Sequence, residues 1–306
     1  MKVEKRKIAL VAFLAVIILY SNALYYRPAS DIAKYSGTVL TDNWWTGLNW
    51  IRNNTVECSV VATYWDPGHF ITGIAKRSVV FDGATQGATI TIEADGKNIT
   101  RSRIQDIATT LFTDNETQAV ELLKAYRKPN CNEFYYIASS DLLGKSQWWT
   151  YFATWDPTGG KDCPFISSDK GYCYVYSTLS LSRATPLPSQ NAIVYTYAMN
   201  QRNAFVVYEV NGTLIPYFQQ DNQLATVESI FYFTKEGAGQ IRTAPDSELK
   251  GLIWMDPSKQ VMVFIPPELA NSLFTRMFLF NGAGLEKFDF VNSWGGEVKL
   301  FKVNFE

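Results

Sequence analysis

Lys2, Lys5, Arg6 and Lys7 stand ahead of an apolar run over residues 8–20, which continues less purely through Ser21 and Asn22 to Tyr26. A chain that begins this way must satisfy a lipid bilayer before it folds anything else. The basic flank belongs on the cytoplasmic side, which puts everything after about Tyr26 outside the cell, with Tyr20, Tyr25 and Tyr26 as interfacial anchors. A cleaved signal peptide is the competing reading, because the purely apolar stretch is short for a span and long for a signal core. Ser21-Asn22-Ala23 makes a poor cleavage box, so a retained single-pass helix over 1–27, followed by a linker over 28–43, is expected.

Beyond the linker the chain is built to fold. Apolar residues make up 47% and charged residues 19%, enough for one large core or two modest ones. The formal net charge of -1 excludes a nucleic-acid partner, since phosphate binding needs a basic field that this balance does not supply.

From 44 to about 156, short strands alternate with helices, the pattern of a parallel or mixed sheet with covering helices. Residues 44–52 read as a helix and 58–63 as a buried strand that ends in Tyr64-Trp65-Asp66-Pro67-Gly68; 69–76 start a second helix. Residues 77–81 form a further strand, 104–112 and 116–127 carry apolar residues at helical spacing, and 134–139 repeat the buried-strand pattern. Asp141 then caps the helix that follows. From 161 to about 265 short alternating strands take over, with hairpin turns at Asn211-Gly212 and Asp256-Pro257-Ser258-Lys259. Pro266 and Pro267 open a helix with Leu273, Phe274, Met277 and Phe278 on one face, and 298–303 form a last strand. The expected class is α+β: a mixed α/β core over 44–160 and 266–306, a β-rich insert or peripheral unit over 161–265, and one N-terminal membrane helix.

Four cysteines fit an oxidising exterior. Cys163 and Cys173 bracket a short loop of turn formers, which predicts a local disulfide. Cys58 and Cys131 each stand just ahead of an apolar strand and bridge if those strands are neighbours. Zinc is the weaker alternative, because there is no CxxC pair and His69 is the only histidine.

Two carboxylates attract attention by position. Asp66 follows one buried strand and Asp141 another, and ligands of open α/β sheets bind at the carboxyl ends of strands. If the two strands are neighbours, Trp65, Asp66, Asp141 and Lys145 converge; Lys145 lies four residues after Asp141, on the same helix face. A helix cap with a surface lysine partner is the plainer reading of that pair. The high aromatic share, with 9 Trp and 17 Tyr, suits a surface that grips peptide or sugar, and equally a Tyr-rich β domain. A pocket that takes Ser or Thr and rejects Ala or Val needs partners for one hydroxyl. Asp66 can accept its proton while the Trp65 indole N–H donates to the same oxygen, with the Tyr64 hydroxyl as a second donor. A side chain without a hydroxyl would leave buried polar groups unpaired, at roughly 1–3 kcal/mol for each neutral group. His69 invites a catalytic-base reading, but no Ser or Cys nucleophile motif accompanies it. Asp66 and Asp141 as a glycosidase pair need a separation that sequence does not supply.

The stretch TYWDPGHFI, from Thr63 to Ile71, resembles the WWDYG region of oligosaccharyltransferase catalytic subunits, with Tyr64, Trp65, Asp66, Pro67 and Gly68 at the motif positions. Asp141-Leu142-Leu143-Gly144-Lys145 resembles the DxxK motif of archaeal members. Phe274-Thr275-Arg276-Met277 followed by Asn281-Gly282-Ala283-Gly284-Leu285 resembles their C-terminal signature. The order and spacing of these stretches extend the resemblance over most of 42–305, except about 161–265. Tyr64 stands where the family usually has Trp, and Pro67 where it usually has Tyr.

The resemblance implies the extracytoplasmic C-terminal domain, with the last membrane helix, of an archaeal-type oligosaccharyltransferase. Such a domain holds the acceptor polypeptide through its N-x-Ser/Thr sequon: Tyr64, Trp65, Asp66, Pro67 and Gly68 bind the Ser or Thr, and Asp141 and Lys145 support the pocket. Family members transfer a lipid-linked oligosaccharide to Asn with a divalent metal, Mn or Mg, held in a multi-span membrane portion. No catalytic residue and no metal ligand is therefore expected in this chain, which alone would recognise acceptor without transferring glycan. A membrane-anchored extracellular carbohydrate-binding or surface-layer module, and an extracellular hydrolase using Asp66 and His69, are the alternatives. The N-x-Thr sequons at Asn53, Asn98, Asn115 and Asn211 agree with an exterior location.

Overall fold

The computed structural model describes residues 2–35, 40–94, 96–156, 160–161, 174–234 and 237–306, which form two compact units, Met1–Trp45 and Thr46–Glu306. The first holds helix α1 (Lys2–Tyr35), whose stretch Leu10–Asp31 is long and apolar enough to cross a membrane. Its apolar side chains, Phe13, Ile17 and Leu24 among them, are exposed.

Helix α2 (Asp42–Asn54) leads to strand β1 (Val60–Ala62), every residue of which is buried. Pro67 then turns the chain into α3 (Gly68–Phe70), which widens to a π turn over Ile71–Ala75 and stops at Lys76 in the left-handed region, φ +55°. Strand β2 (Ser78–Val79) follows, then an isolated hairpin of β3 (Thr89–Ala94) and β4 (Lys97–Ser102). Helices α4 (Arg103–Phe112) and α5 (Glu116–Lys124) cover the sheet. Strand β5 (Phe134–Ser139) is fully buried and runs into α6 (Asp141–Gly144) and α7 (Ser146–Ala153).

After a two-stranded ribbon of β6 (Trp155–Asp156) and β7 (Gly160–Lys161), the chain builds a nine-stranded sheet. Its strands are β8 (Ser177–Ser180), β9 (Arg183–Leu187), β10 (Ala192–Ala198), β11 (Asn203–Val210), β12 (Thr213–Gln220), β13 (Gln223–Phe233), β14 (Gly239–Thr243), β15 (Leu249–Met255) and β16 (Val261–Ile265). Asn211 and Gly212 both have positive φ, as the two-residue turn between β11 and β12 requires.

The last strands, β17 (Phe288–Trp294) and β18 (Val298–Val303), return to the first sheet, whose order is β17-β18-β5-β1-β2. In it β1 runs parallel to β5, with Val60, Val61 and Ala62 opposite Phe134, Tyr135 and Tyr136. Strand β2 is parallel to β1, and β18 antiparallel to β5. Burial on both faces explains why β1 and β5 read as continuous apolar runs. The mixed sheet with covering helices and the strand-rich second sheet make up the expected α+β class.

Because β1 and β5 are neighbours, Cys58 and Cys131, just ahead of them, are joined by a disulfide. The expected Cys163 pairing with Cys173 lies outside the described residues. The helix expected from Pro266 and Pro267 is broken into a 3-10 turn, Pro267–Leu269, and a π turn, Thr275–Leu279. Buried polar side chains cause the break. Thr275 Oγ1 donates to the Leu269 carbonyl at 2.6 Å and lies 2.7 Å from Tyr176 Oη, so side-chain bonds take partners that a continuous helix would use.

Candidate functional site

The site forms where β1 and β5 end side by side. Residues 63–66 leave one strand, and Ser140 and Asp141 leave the other, at the same edge of the sheet. Alternation along the first strand decides which motif residue reaches the surface. Val60, Ala62 and Tyr64 share the core face, and Tyr64 is fully buried, stacked on Trp65 at 4.9 Å and edge-on to Phe81 at 6.3 Å. Tyr64 therefore backs the indole from beneath rather than offering its hydroxyl to a ligand.

That hydroxyl is buried without a hydrogen-bond partner, and burial first, then the charge of Asp66, push its ionisation well above the ordinary range. Removing an orphaned buried hydroxyl relieves a desolvation cost. Tyr64→Phe is accordingly expected to raise stability by about 1 kcal/mol, a gain of roughly 2–4 °C in Tm, with ligand binding unchanged. A drop in Tm would mean that an ordered water satisfies the group.

Asp66 and Asp141 converge on one ammonium. Lys145 Nζ lies 3.1 Å from Asp66 Oδ2 and 2.7 Å from Asp141 Oδ2, and Ser139 Oγ donates to the other oxygen of Asp141 at 2.5 Å. All three ionic side chains are about one-third exposed or a little more, so the cluster faces solvent. Burial works against the Lys145 charge, but the bonds and charges of Asp141, then Asp66, outweigh it and hold the pKa above the usual lysine value. The ammonium sits where a cation between the two carboxylates would go, so these residues do not fit a divalent metal. Among the described residues, no three His, Cys, Asp or Glu side chains gather elsewhere as ligands.

Trp65 and Asp66 lean on the same helix. The Trp65 ring meets Phe152 of α7 edge-on at 6.5 Å, and Asp66 meets Lys145 at the start of that helix. Lys145 and Phe152 are seven residues apart, on one face and roughly 10 Å along the axis. Trp65 is half-buried, and its indole N–H and Asp66 Oδ1 have no protein partners among the described residues. Among the described residues a donor and an acceptor thus stay without partners on two neighbouring residues that meet the same helix. Ser139, Phe152 and the exposed Trp148, which falls on that face between Lys145 and Phe152, escaped the sequence reading. The signal for the two aromatics was their spacing of three and seven from Lys145.

Pro67 and Gly68 are buried at the helix start, where they set the course of the backbone. His69 is exposed, with Nδ1 3.5 Å from Asp82 Oδ2. Asp82 in turn is held below the usual carboxylate range, chiefly by the Thr85 hydroxyl. Asp66 and His69, three residues apart in sequence, thus have different ionic partners, Lys145 and Asp82.

Beside the cluster lies a cleft of about 640 Å³ that is lined by Asp141, Leu143, Trp254, Val263, Phe278 and Lys299 among others, but not by Trp65 or Asp66. Lys299 is 9% exposed, and burial pushes its pKa down to about 8. Its ammonium donates to the Phe278 carbonyl and to Asn281 Oδ1, and lies 4.9 Å from the centre of the Phe278 ring. A folded pKa below the unfolded value of roughly 10.4 means that the unfolded chain binds more protons in that window, so stability rises with pH from about 8 towards 10. Calorimetry should show a higher Tm at about pH 9.5 than at about pH 7.5, with the rise flattened in Lys299→Met. A flat wild-type profile would mean that the carbonyl and ring solvate the ammonium as well as water does.

Fold and site together give an α+β domain with an indole and a carboxylate–ammonium–carboxylate cluster at the carboxyl edge of its parallel strands. No protein-family model matches the chain. It is similar to the dolichyl-phosphooligosaccharide-protein glycotransferase of Methanocaldococcus jannaschii, 21% identical over 87% of this chain and 34% of that protein. Similarity to dolichyl-phosphooligosaccharide-protein glycotransferase 2 of Pyrococcus furiosus reaches 34% identity over 83 residues, which are 27% of this chain and 10% of that one. The chain thus spans about a third of the length, or less, of these curated relatives. Among solved structures, the C-terminal domain of PglB from C. jejuni aligns over 85% of this chain and 99% of its own, with a TM-score of 0.49 and 15% identity.

Proposed function

We propose that this chain is the acceptor-recognition domain of a protein N-glycosylating oligosaccharyltransferase, anchored in the cell membrane by α1 with the Thr46–Glu306 unit outside. Trp65 and Asp66 bind the hydroxyl of Ser or Thr in N-x-Ser/Thr, and Lys145, tied to Asp141, fixes the orientation of Asp66. The observation that carries this reading is that Trp65 Nε1 and Asp66 Oδ1 have no hydrogen-bond partner among the described residues, while the Trp65 ring and the Asp66 carboxylate both meet α7 or its N-cap. The sequence similarity to glycotransferases over most of the chain supports it.

A hydroxyl placed there donates to Asp66 Oδ1 and accepts from the indole. Ala or Val at the same place desolvates both groups without repayment, at about 1–3 kcal/mol for the neutral donor and more for the carboxylate. On this reading, transfer of oligosaccharide from its lipid carrier, with the Mn or Mg that the family resemblance implies, falls to a multi-span membrane portion, while Lys145 lies between Asp66 and Asp141 here.

The test is titration of the full chain in detergent or nanodiscs with peptides that differ only at the hydroxyl position. N-x-Thr is expected to bind at least about tenfold tighter than N-x-Ala, and Asp66→Ala is expected to erase the difference. Equal binding of both peptides to the unaltered chain, or binding of free glycan alone, would sink the reading.

A further inference from the structure

The chain carries four N-x-Thr sequons of its own, and the fold treats them very differently. Asn53 lies in the last turn of α2, where the Thr55 hydroxyl is spent: it donates to the Ile51 carbonyl at 2.7 Å and accepts from Arg77 Nε at 2.9 Å. Asn115 is the N-cap of α5, with its side-chain oxygen accepting from Gln118 N at 3.2 Å. The next residue, Glu116, is fastened by Arg276 and by the amides of Glu286 and Lys287. Asn211 occupies a left-handed turn position, φ +51°, and its Oδ1 accepts from Asn191 Nδ2 at 2.9 Å.

Asn98 is the exception. It lies in β4, which pairs with β3 and, among the described residues, with no third strand. Asn98, Ile99 and Thr100 are all exposed, and the Asn98 side chain makes no hydrogen bond to the described residues. Extended backbone sends residues two apart to the same face, so the Asn98 amide and the Thr100 hydroxyl project together, with Ile99 on the other side. The Thr100 hydroxyl has one neighbour, Thr91 Oγ1 at 3.2 Å, and keeps capacity for another bond. An enzyme that must reach an amide nitrogen and read a hydroxyl at once finds both on one exposed face of an open strand here, whereas at Asn115 and Asn211 the amide oxygen is held by the fold at a helix start and a tight turn.

We infer that Asn98 is itself an N-glycosylation site of the folded domain. The inference rests on the exterior location proposed above. In the transfer, the bond from Asn98 Nδ2 to the anomeric carbon of the sugar forms as the bond from that carbon to the lipid phosphate oxygen breaks. The phosphate leaves with the electron pair, and the amide nitrogen gives up one proton to solvent. A glycan at this position also covers the open edge of β4, where Ile99 is 44% exposed, and so blocks edge-to-edge strand pairing between molecules.

The experiment is glycopeptide mapping of the full chain purified from membranes of an N-glycosylating archaeal host, with an N-x-Thr tag added after Glu306 as a location control. The expected result is a glycan on Asn98 at higher occupancy than on Asn53, Asn115 or Asn211, lost in both Asn98→Gln and Thr100→Val. Both substitutions fall on exposed positions, so the fold is retained. Asn98 left bare while the tag is modified, or surpassed by any of the other three, overturns this inference and leaves the exterior location standing. Tag and Asn98 both bare overturns the location and the inference together.

Discussion

Replacing Cys58 and Cys131 by alanine is expected to cost about 4 kcal/mol of stability, a fall of roughly 10 °C in Tm. The two residues are 73 apart in sequence, so their bond closes a long loop in the unfolded chain and removes much of its freedom. They also stand at the entrances of β1 and β5, the parallel neighbours whose exits build the site. Parallel pairing has no hairpin to enforce it, and here the intervening chain includes strand β2, a whole hairpin and the three helices α3, α4 and α5. The covalent link supplies the proximity that a turn would otherwise give. Chemical reduction is a blunter probe, because the chain has two further cysteines; the double substitution isolates this bond. Urea melts of the two proteins measure the difference, and a loss under about 1 kcal/mol would show that the denatured chain already holds this loop closed without the bond.

Much of this arrangement was legible in the chain. The runs at 58–63 and 134–139 are apolar without alternation, which only a strand buried on both faces tolerates, and both proved to be interior strands. Their adjacency was not legible, because nothing in either strand names its partner; it emerges from the helices and the disulfide between them. The hairpin of β3 and β4 went unread for a different reason. Its residues are largely exposed, so it lacks the apolar face from which a strand is ordinarily recognised. Strand β17 was obscured by the register shift between Phe290 and Asn292, which breaks its alternation halfway.

The site was read in part. Asp66, Asp141 and Lys145 meet, the outcome that the sequence tied to the two strands being neighbours, and Trp65 packs against Phe152 beside them. Tyr64 was misjudged by residue type alone, since a tyrosine in a polar motif reads as a hydroxyl donor. Counting by twos from Val60 through Ala62 puts it in the core, so the information was present in the strand period. Phe152 and Trp148 needed the helix to be extended past Lys145, where the pattern of apolar residues is too dense to show a face.

Gly68→Ala is expected to destabilise the domain by roughly 3 kcal/mol and to weaken acceptor binding with it, whereas Gly73→Ala, five residues on in the same helical segment, is expected to stabilise by up to about 1 kcal/mol. The contrast comes from space, since neither glycine has positive φ. A Cβ on Gly68 would lie 2.6 Å from Asp82 Cβ, 2.8 Å from Asp82 Cα and 2.8 Å from the Phe81 carbonyl oxygen. Two of those are backbone atoms just past β2, and cannot rotate aside. Relief requires the start of the helix to move off the sheet edge, carrying Pro67 and then Asp66 away from Lys145. At Gly73 a Cβ meets nothing within 4 Å, so alanine brings only its lower backbone entropy cost in a helix. Thermal melts and peptide titration of the two variants, side by side, measure both halves. Equal and small effects would mean that the helix start yields freely, and the close approach of Gly68 to Asp82 would then not be what holds Asp66 beside Lys145.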